Sequence, residues 1–283
     1  HPLTPMRDSN LVRVLQQQTQ LRVGHVAFEA VAQGAEAIGK AFAAAEARGE
    51  RMVIVDAITD ANLMEIGKAA ADMKLVTGGS GAALGLPANF VSQGLVTPAD
   101  ANAPMTAPKG RAAILAGSCS EATRGQVKAA IAAGVPAFKI DPLAIAGGTL
   151  SHRDIVQWAM KQTADKPVLI TSSADPESVR SVQDKLGRDA AGSLVERELA
   201  AAAKQMVASG FNRLIVAGGE TSGAVVGALG ITALEIGPEI DPGVPWTKAL
   251  GAGRIGGEPL VLALKSGNFG APDFFTKAWE KLA

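Results

Sequence analysis

Apolar residues recur along this chain in two rhythms: short unbroken β-branched runs, and longer stretches with the 3.6-residue period of a helix. Ser9 precedes Leu11, Val14 and Leu15, an N-cap followed by an amphipathic helix. Residues 23–28 read as a short strand. Val31, Ala35, Ile38 and Phe42 lie at helical spacing within an Ala-rich helix predicted over 30–48, which Gly49 ends. Met52-Val53-Ile54-Val55 is the continuous apolar run of a strand buried on both faces. A helix over 62–73 and a strand over 74–76 follow. Residues 93–110 break the rhythm, with Pro98, Pro104 and Pro108 among small and polar residues, and read as a linker. Alternation then resumes, with strands predicted over 112–116, 137–140, 168–171, 213–217, 233–236 and 260–264. The main helices between them are predicted over 121–133, 153–162 and 190–209. No repeat of fixed period is present. The pattern predicts an α/β protein of mostly parallel sheets with flanking helices, in two domains joined by the Pro-rich linker, residues 1–107 and 108–283.

Composition narrows the function. With 283 residues, 47% of them apolar, the chain can bury a core in each domain. Lys+Arg and Asp+Glu balance at 27 each, so no basic field draws nucleic acid or an anionic membrane, and any phosphate must be held locally. The single cysteine, Cys119, excludes an internal disulfide and a cysteine-based zinc cluster, and the three histidines lack ligand spacing. A cytoplasmic location is expected, without nucleic-acid or membrane partners. The opening His1-Pro2-Leu3-Thr4-Pro5 has neither an initiator Met nor the pattern of a signal peptide, so the numbering is expected to begin inside a longer protein.

The informative residues stand where strands end. The strand over 112–116 runs into Gly117-Ser118-Cys119-Ser120. The strand over 213–217 runs into Gly218-Gly219-Glu220-Thr221-Ser222-Gly223, and that over 260–264 into Lys265-Ser266-Gly267-Asn268-Phe269-Gly270. Open parallel sheets bind ligands beyond the carboxyl ends of their strands. Glycines there admit close backbone approach, and a following helix presents unpaired N–H groups to an anion. Three such loops on one sheet fit the phosphates of a nucleotide. Lys265 is a candidate to offset negative charge or to pair with a carboxylate. Glu220 is the acidic candidate to reach Mg²⁺ through water.

Other signals are weaker. Gly34 to Lys40 has P-loop glycine spacing but lies in a helical pattern and lacks the hydroxyl after Lys40. Gly79-Ser80-Gly81 with Gly85 is one residue too long for a dinucleotide fingerprint, and no acidic residue follows at the required distance. Residues 77–81 remain a candidate anion loop. Cys119 lacks His and acid partners and reads as a small packed residue. His25 reads as a satisfied core or edge histidine and His152 as a capping or solvated one. Asp56 and Asp60 flank the end of the Met52 strand, where turns explain them as well as catalysis does.

Taken in order, Val216-Ala217-Gly218-Gly219-Glu220-Thr221-Ser222-Gly223, Ile236-Gly237-Pro238, Pro242-Gly243-Val244-Pro245-Trp246 and Leu264-Lys265-Ser266-Gly267-Asn268-Phe269-Gly270 resemble the four-carbon acid sugar kinase family, which includes 3-oxo-tetronate kinases. Gly117-Ser118-Cys119-Ser120, Thr77-Gly78-Gly79-Ser80-Gly81 and Pro5-Met6-Arg7-Asp8-Ser9 resemble it too, and the likeness spans essentially the whole chain. The resemblance implies a substrate-binding domain followed by a nucleotide-binding domain. It implies ATP with Mg²⁺ as cofactors and a small sugar acid as substrate, with a homo-oligomer left open. It carries ATP contacts to Ser118, Gly218, Gly219, Glu220, Thr221 and Gly267. The family's Asp-Asp-Phe-Thr-Gly-like segment has no counterpart here, so the catalytic acid/base is expected upstream and no catalytic residue is assigned. Residues 1–107 are then expected to be the later part of the substrate domain. The implied reaction is phosphorylation of a terminal hydroxyl of a 3-oxo-tetronate or similar acid, with closure of the domains across the linker excluding water. The alternatives are an NAD-dependent dehydrogenase of sugar acids, using the Gly79 loop, and a non-catalytic nucleotide or sugar-acid binding protein.

Overall fold

Two sheets carry the chain, one of two parallel strands and one of seven mostly parallel strands. The structure, a computed structural model, describes residues 6–98, 104–172, 180–181, 184–251 and 259–282. The Cα trace divides into two compact units, with the change falling between Ala99 and Asp100. Pro5 of the opening motif and residues 99–103 of the predicted linker lie outside the described residues.

The first unit is built on strands β1 (Val23–Val26) and β2 (Met52–Val55), paired in parallel with Val26 opposite Val55. Its core is small: Val26, Val31 and Ile38 are buried, with Phe42, Val53, Val55 and Ile66 packed on them. The Ala-rich stretch forms two helices, Phe28–Val31 and Ala35–Ala47, where one was predicted. Gly34 interrupts it at φ +89°, and the N–H of Ala35 restarts the helix by donating to Glu65 Oε2 at 2.8 Å. The next helix, Asp60–Ala69, begins with a reciprocal cap between Thr59 and Asn62. It runs close over the following loop, because Gly67 packs on the backbone of Gly85 and accepts from Asn89 Nδ2 at 2.9 Å. The strand predicted over 74–76 does not form. Leu75 is 79% exposed, and three residues without a pairing neighbour gain too little to stay extended.

The second unit is a seven-stranded sheet in the order β4-β5-β3-β6-β9-β8-β7. These strands are β3 (Arg111–Ala116), β4 (Ala137–Lys139), β5 (Val168–Thr171), β6 (Phe211–Ala217), β7 (Ile231–Asp241), β8 (Val244–Gly251) and β9 (Val261–Lys265). β4, β5, β3, β6 and β9 are parallel, while β7 and β8 form an antiparallel hairpin on β9. The fold is therefore α/β with mostly parallel strands and flanking helices, as the pattern predicts. Sequence reading missed β8, whose Pro245 argues against a strand. Proline is accommodated because it pairs with Glu239 inside an irregular stretch of the ladder.

Helices cover both faces. Alternate residues of β3 show why: Ala113 and Leu115 pack with Ile155, Leu199 and Val225 on one face, Ile114 and Ala116 with Val127, Trp246 and Phe274 on the other. The Glu121–Ala132 helix leaves β3 across one face toward β4. The Gly219–Ala228 helix leaves β6 across the opposite face toward β7. Connections thus diverge between β3 and β6, the arrangement that opens a crevice at the carboxyl edge of a doubly wound sheet.

Candidate functional site

Three loops meet at that crevice because β3, β6 and β9 are sheet neighbours. Hydrogen bonds tie them together. The N–H groups of Gly117 and Ser118 both donate to Ala217 O, at 3.0 and 3.1 Å, and Gly218 N–H donates to Lys265 O at 2.9 Å. Ser120 Oγ donates to Gly267 O at 2.6 Å and caps the Glu121–Ala132 helix by accepting from Thr123 N–H. Ser118, Gly218, Gly219, Glu220, Thr221 and Gly267 are thereby brought to one sheet rim.

Within this rim the residues play different parts. Gly218, at φ +132° and ψ 134°, turns the chain from β6 into the Gly219–Ala228 helix, a conformation closed to L side chains. Gly219 opens that helix, is exposed, and a Cβ built on it would meet nothing within 4 Å. The first intrahelical bond is Ser222 N–H to Gly218 O, so the N–H groups of Gly219, Glu220 and Thr221 have no acceptor among the described residues. Thr221 is buried, and its hydroxyl fills the space that a side chain on Gly117 would need. It packs the two loops together rather than lining the opening.

Gly267 has a packing role within the rim. A Cβ there would run into Ser118 Oγ and lie 3.0 Å from Ser120 Oγ, so glycine is required for the third loop to pack on the first. The amides of Gly117 and Ser118 are also spent inside the sheet. The amides left open to an outside acceptor are therefore those after Gly218, together with those of the third loop.

Sequence reasoning missed the polar cluster beneath the third loop. Lys265 is 1% exposed and meets no carboxylate among the described residues. Its ammonium donates to Thr123 Oγ1 at 3.1 Å, Ser266 O at 3.1 Å and Gly267 O at 3.3 Å, and the Phe275 ring lies 5.9 Å away. Burial pushes its pKa down to about 8. Thr123 Oγ1 also donates to Gly267 O, and the buried Gln126 amide donates to the carbonyls of Phe269, Gly270 and Ala271. Thr123 and Gln126 lie one turn apart on the helix face turned to this loop. That spacing was the available signal, but nothing local to it names the partner.

Glu220 is exposed on the first helical turn. Across from it, Glu196 has its carboxyl pushed up by burial and then by the charge of Glu220. Glu196 belongs to a groove of about 550 Å³ between the Arg188–Ala208 and Gly219–Ala228 helices, beside the rim rather than on it. Among the described residues no group of three or more His, Cys, Asp or Glu could hold a metal ion, and no helix is long and apolar enough to cross a membrane. Cys119 Sγ lies 4.0 Å from Ser172 O without a histidine partner. In the first unit, His25 is an edge histidine with Nε2 3.0 Å from Asp56 Oδ2, an oxygen that also accepts from Phe28 N–H. His152 begins the His152–Lys161 helix and sits 3.2 Å from Glu198. Residues 77–81 follow no strand, so the structural context of a dinucleotide fingerprint is missing.

A doubly wound sheet with amide-rich loops at its switch point defines a nucleotide-binding type of domain. Residues 113–275 match the nucleotide-binding C-terminal domain family, and residues 1–86 the sugar-binding N-terminal domain family. The chain belongs to the family that joins these two domains. It is 49% identical over 282 residues to the 3-oxo-tetronate kinase of Cupriavidus necator, and 50% identical over 283 residues to that of Pseudomonas fluorescens. Each match takes in all of this chain and 64% of the relative, so the chain spans about two thirds of their length. A solved structure from Salmonella typhimurium LT2 matches at TM-score 0.76 and 35% identity, over all of this chain and 65% of that one. A Haemophilus influenzae protein matches at TM-score 0.66 and 36% identity, over 99% of this chain and 65% of that one.

Proposed function

We propose that this chain is part of an ATP-dependent kinase that phosphorylates a 3-oxo-tetronate or a similar four-carbon sugar acid, its second unit holding the nucleotide and its first contributing to the sugar-acid site. The observation that carries this reading is the convergence of three strand-end loops at the β3/β6 switch, with unspent amides after Gly218. The names of the similar kinases supply the substrate class.

The residues present fit ATP. Gly219 leaves room for a phosphate against the backbone, and the N–H groups of Gly219, Glu220 and Thr221 with the positive end of their helix suit its charge. Ser118 stands on the facing loop, and Gly267 sets the distance between the loops. Mg²⁺ takes most of its ligands from water and phosphate oxygens and needs only one or two carboxylates from protein. Glu220 is the side chain suited to that part. When bound, the nucleotide and metal supply the transferable phosphoryl group and its charge neutralisation. The chain's contribution is positioning: two backbone turns held in place before the ligand arrives. The general base is not assigned to any residue of this chain.

Calorimetric titration with ATP and with NAD tests the reading. ATP is expected to bind and NAD not. Gly219→Val places its Cβ where no protein atom lies within 4 Å, so it should abolish ATP binding and shift the thermal unfolding midpoint little. ATP affinity surviving in Gly219→Val would remove the loop assignment, and NAD binding in preference to ATP would replace the kinase reading with the dehydrogenase one.

A further inference from the structure

Lys265 is a buried cation with no counter-charge in contact among the described residues, at the junction of all three loops. Its carbonyl accepts from Gly218 N–H at the start of the second loop, and its ammonium holds Thr123 Oγ1 in the first turn of the helix that follows the first. It also holds the carbonyls of Ser266 and Gly267 in the third. Among the described residues no ionised group contacts it from the elements packed against it. From the Glu121–Ala132 helix it meets the Thr123 hydroxyl, and the neighbouring Gln126 is neutral. Glu121 and Arg124 on that helix do not touch it, Arg124 being turned to Cys119 O at 2.8 Å. From the Phe274–Lys277 helix it meets the Phe275 ring, while Lys277 is engaged with Asp241 at 2.6 Å and Asp273 at 3.3 Å. From β6 its neighbour in the ladder is Ala217.

A trans peptide points its N–H opposite to its C=O, and the described chain has no cis peptide bonds. With the carbonyls of Ser266 and Gly267 drawn down onto the ammonium, the N–H groups of Gly267 and Asn268 are turned away from it, toward the rim. Neither N–H donates to an acceptor among the described residues. A buried cation satisfied only by neutral oxygens is costly, and an anion seated above it relieves that cost.

We propose that Lys265 is the fixed cation of the nucleotide site: it aims the Gly267 and Asn268 amides at the phosphates, and its charge is balanced by the bound anion, so that nucleotide binding and protonation of Lys265 are coupled. This rests on the nucleotide reading above and deepens it. Lys265 acts through the loop and is a positioning residue.

The coupling has a definite sign. With the site empty, burial holds the ammonium near a pKa of about 8. An anion favours the charged form and raises that value. Below pH 8 the lysine is charged with or without nucleotide, and no proton moves. Above it, binding must draw a proton from solvent, and affinity falls by up to about tenfold per pH unit.

The test is calorimetric titration of the whole chain with ADP between pH 7.5 and 9.5, in two buffers of different ionisation heat. In this range the terminal phosphate is already fully ionised. The titrations use the Cys119→Ser variant, which removes the chain's single thiol. The expected result is proton uptake approaching one per ADP near pH 9, with affinity falling accordingly. Lys265→Met in the same background should bind at least about tenfold more weakly at pH 7.5, with neither slope nor proton uptake. Should Lys265→Met fail to fold, proton uptake by the parent decides alone. ADP bound with a flat pH profile and no proton uptake overturns the lysine proposal and leaves the nucleotide reading standing. No ADP bound at any pH overturns both.

Discussion

The loops after β6 and β9 stand side by side on one rim and are held by opposite means. The first is shaped by its own backbone. Gly218 adopts a conformation that only glycine takes readily, and Gly219 leaves its outer side open. The second is held from below by side chains that are distant in sequence. Lys265 reaches Thr123 across 142 positions, and Gln126 clamps three successive carbonyls. A loop fixed by local conformation can be read from sequence and broken by one methyl group. A loop fixed by a polar cluster is visible only in three dimensions and should respond to pH.

The largest effect expected from this contrast is on the stability of the ligand-free protein. Lys265 keeps its proton up to pH 10.5 when unfolded and only to about 8 when folded. Between those values the unfolded state binds more protons, so stability rises with pH. Below pH 8 the folded state carries the cost of a charged, desolvated ammonium. Between pH 8 and 10.5 that cost is relieved, by at most on the order of 3 kcal/mol. Denaturant unfolding of wild type and Lys265→Met at several pH values should show a difference that changes over this window and is constant below it. A constant difference across the window would mean that the ammonium is better solvated than its position implies.

A smaller loss is expected from the backbone-held loop. Gly218→Ala places a Cβ 3.0 Å from Thr221 Oγ1 and 3.2 Å from Ser118 N, in a conformation that L residues rarely adopt. The cost should be about 2 kcal/mol, without pH dependence between 7 and 10. Chemical denaturation checks it, and a pH-dependent loss would show that the two loops are not held independently.

Much of this was legible in the sequence because buried strands announce themselves. β2 and β5 fall where the apolar runs lie, β3, β6 and β9 within a residue or two, and each of the last three ends in the Gly/Ser loop that became the rim. The topology that brings them together was not legible, since β3, β6 and β9 are neighbours only after β4 and β5 have been laid on the far side. β8 was hidden by Pro245. The packing role of Gly267 was not legible, because the side chains that crowd it, Ser118 and Ser120, come from the far end of the unit in sequence. Lys265 was singled out, but its company was not legible: of its two expected roles the carboxylate partner is not met among the described residues, and neutral oxygens surround the ammonium.

Ser120 separates the two modes of support, since it serves both a local cap and the distant loop. Its Oγ accepts from Thr123 N–H at 3.2 Å and donates to Gly267 O at 2.6 Å. In Ser120→Ala the helix loses its cap, at a cost of about 1 kcal/mol. Gly267 O is not orphaned, because Thr123 Oγ1 at 2.8 Å and Lys265 Nζ at 3.3 Å still donate to it. The third loop should therefore stay in place, and nucleotide affinity should change less than threefold, roughly half a kcal/mol. Thermal unfolding and ADP titration of this one variant read the two quantities separately. A loss of affinity as large as that expected for Lys265→Met would mean that the serine, rather than the lysine, holds the third loop.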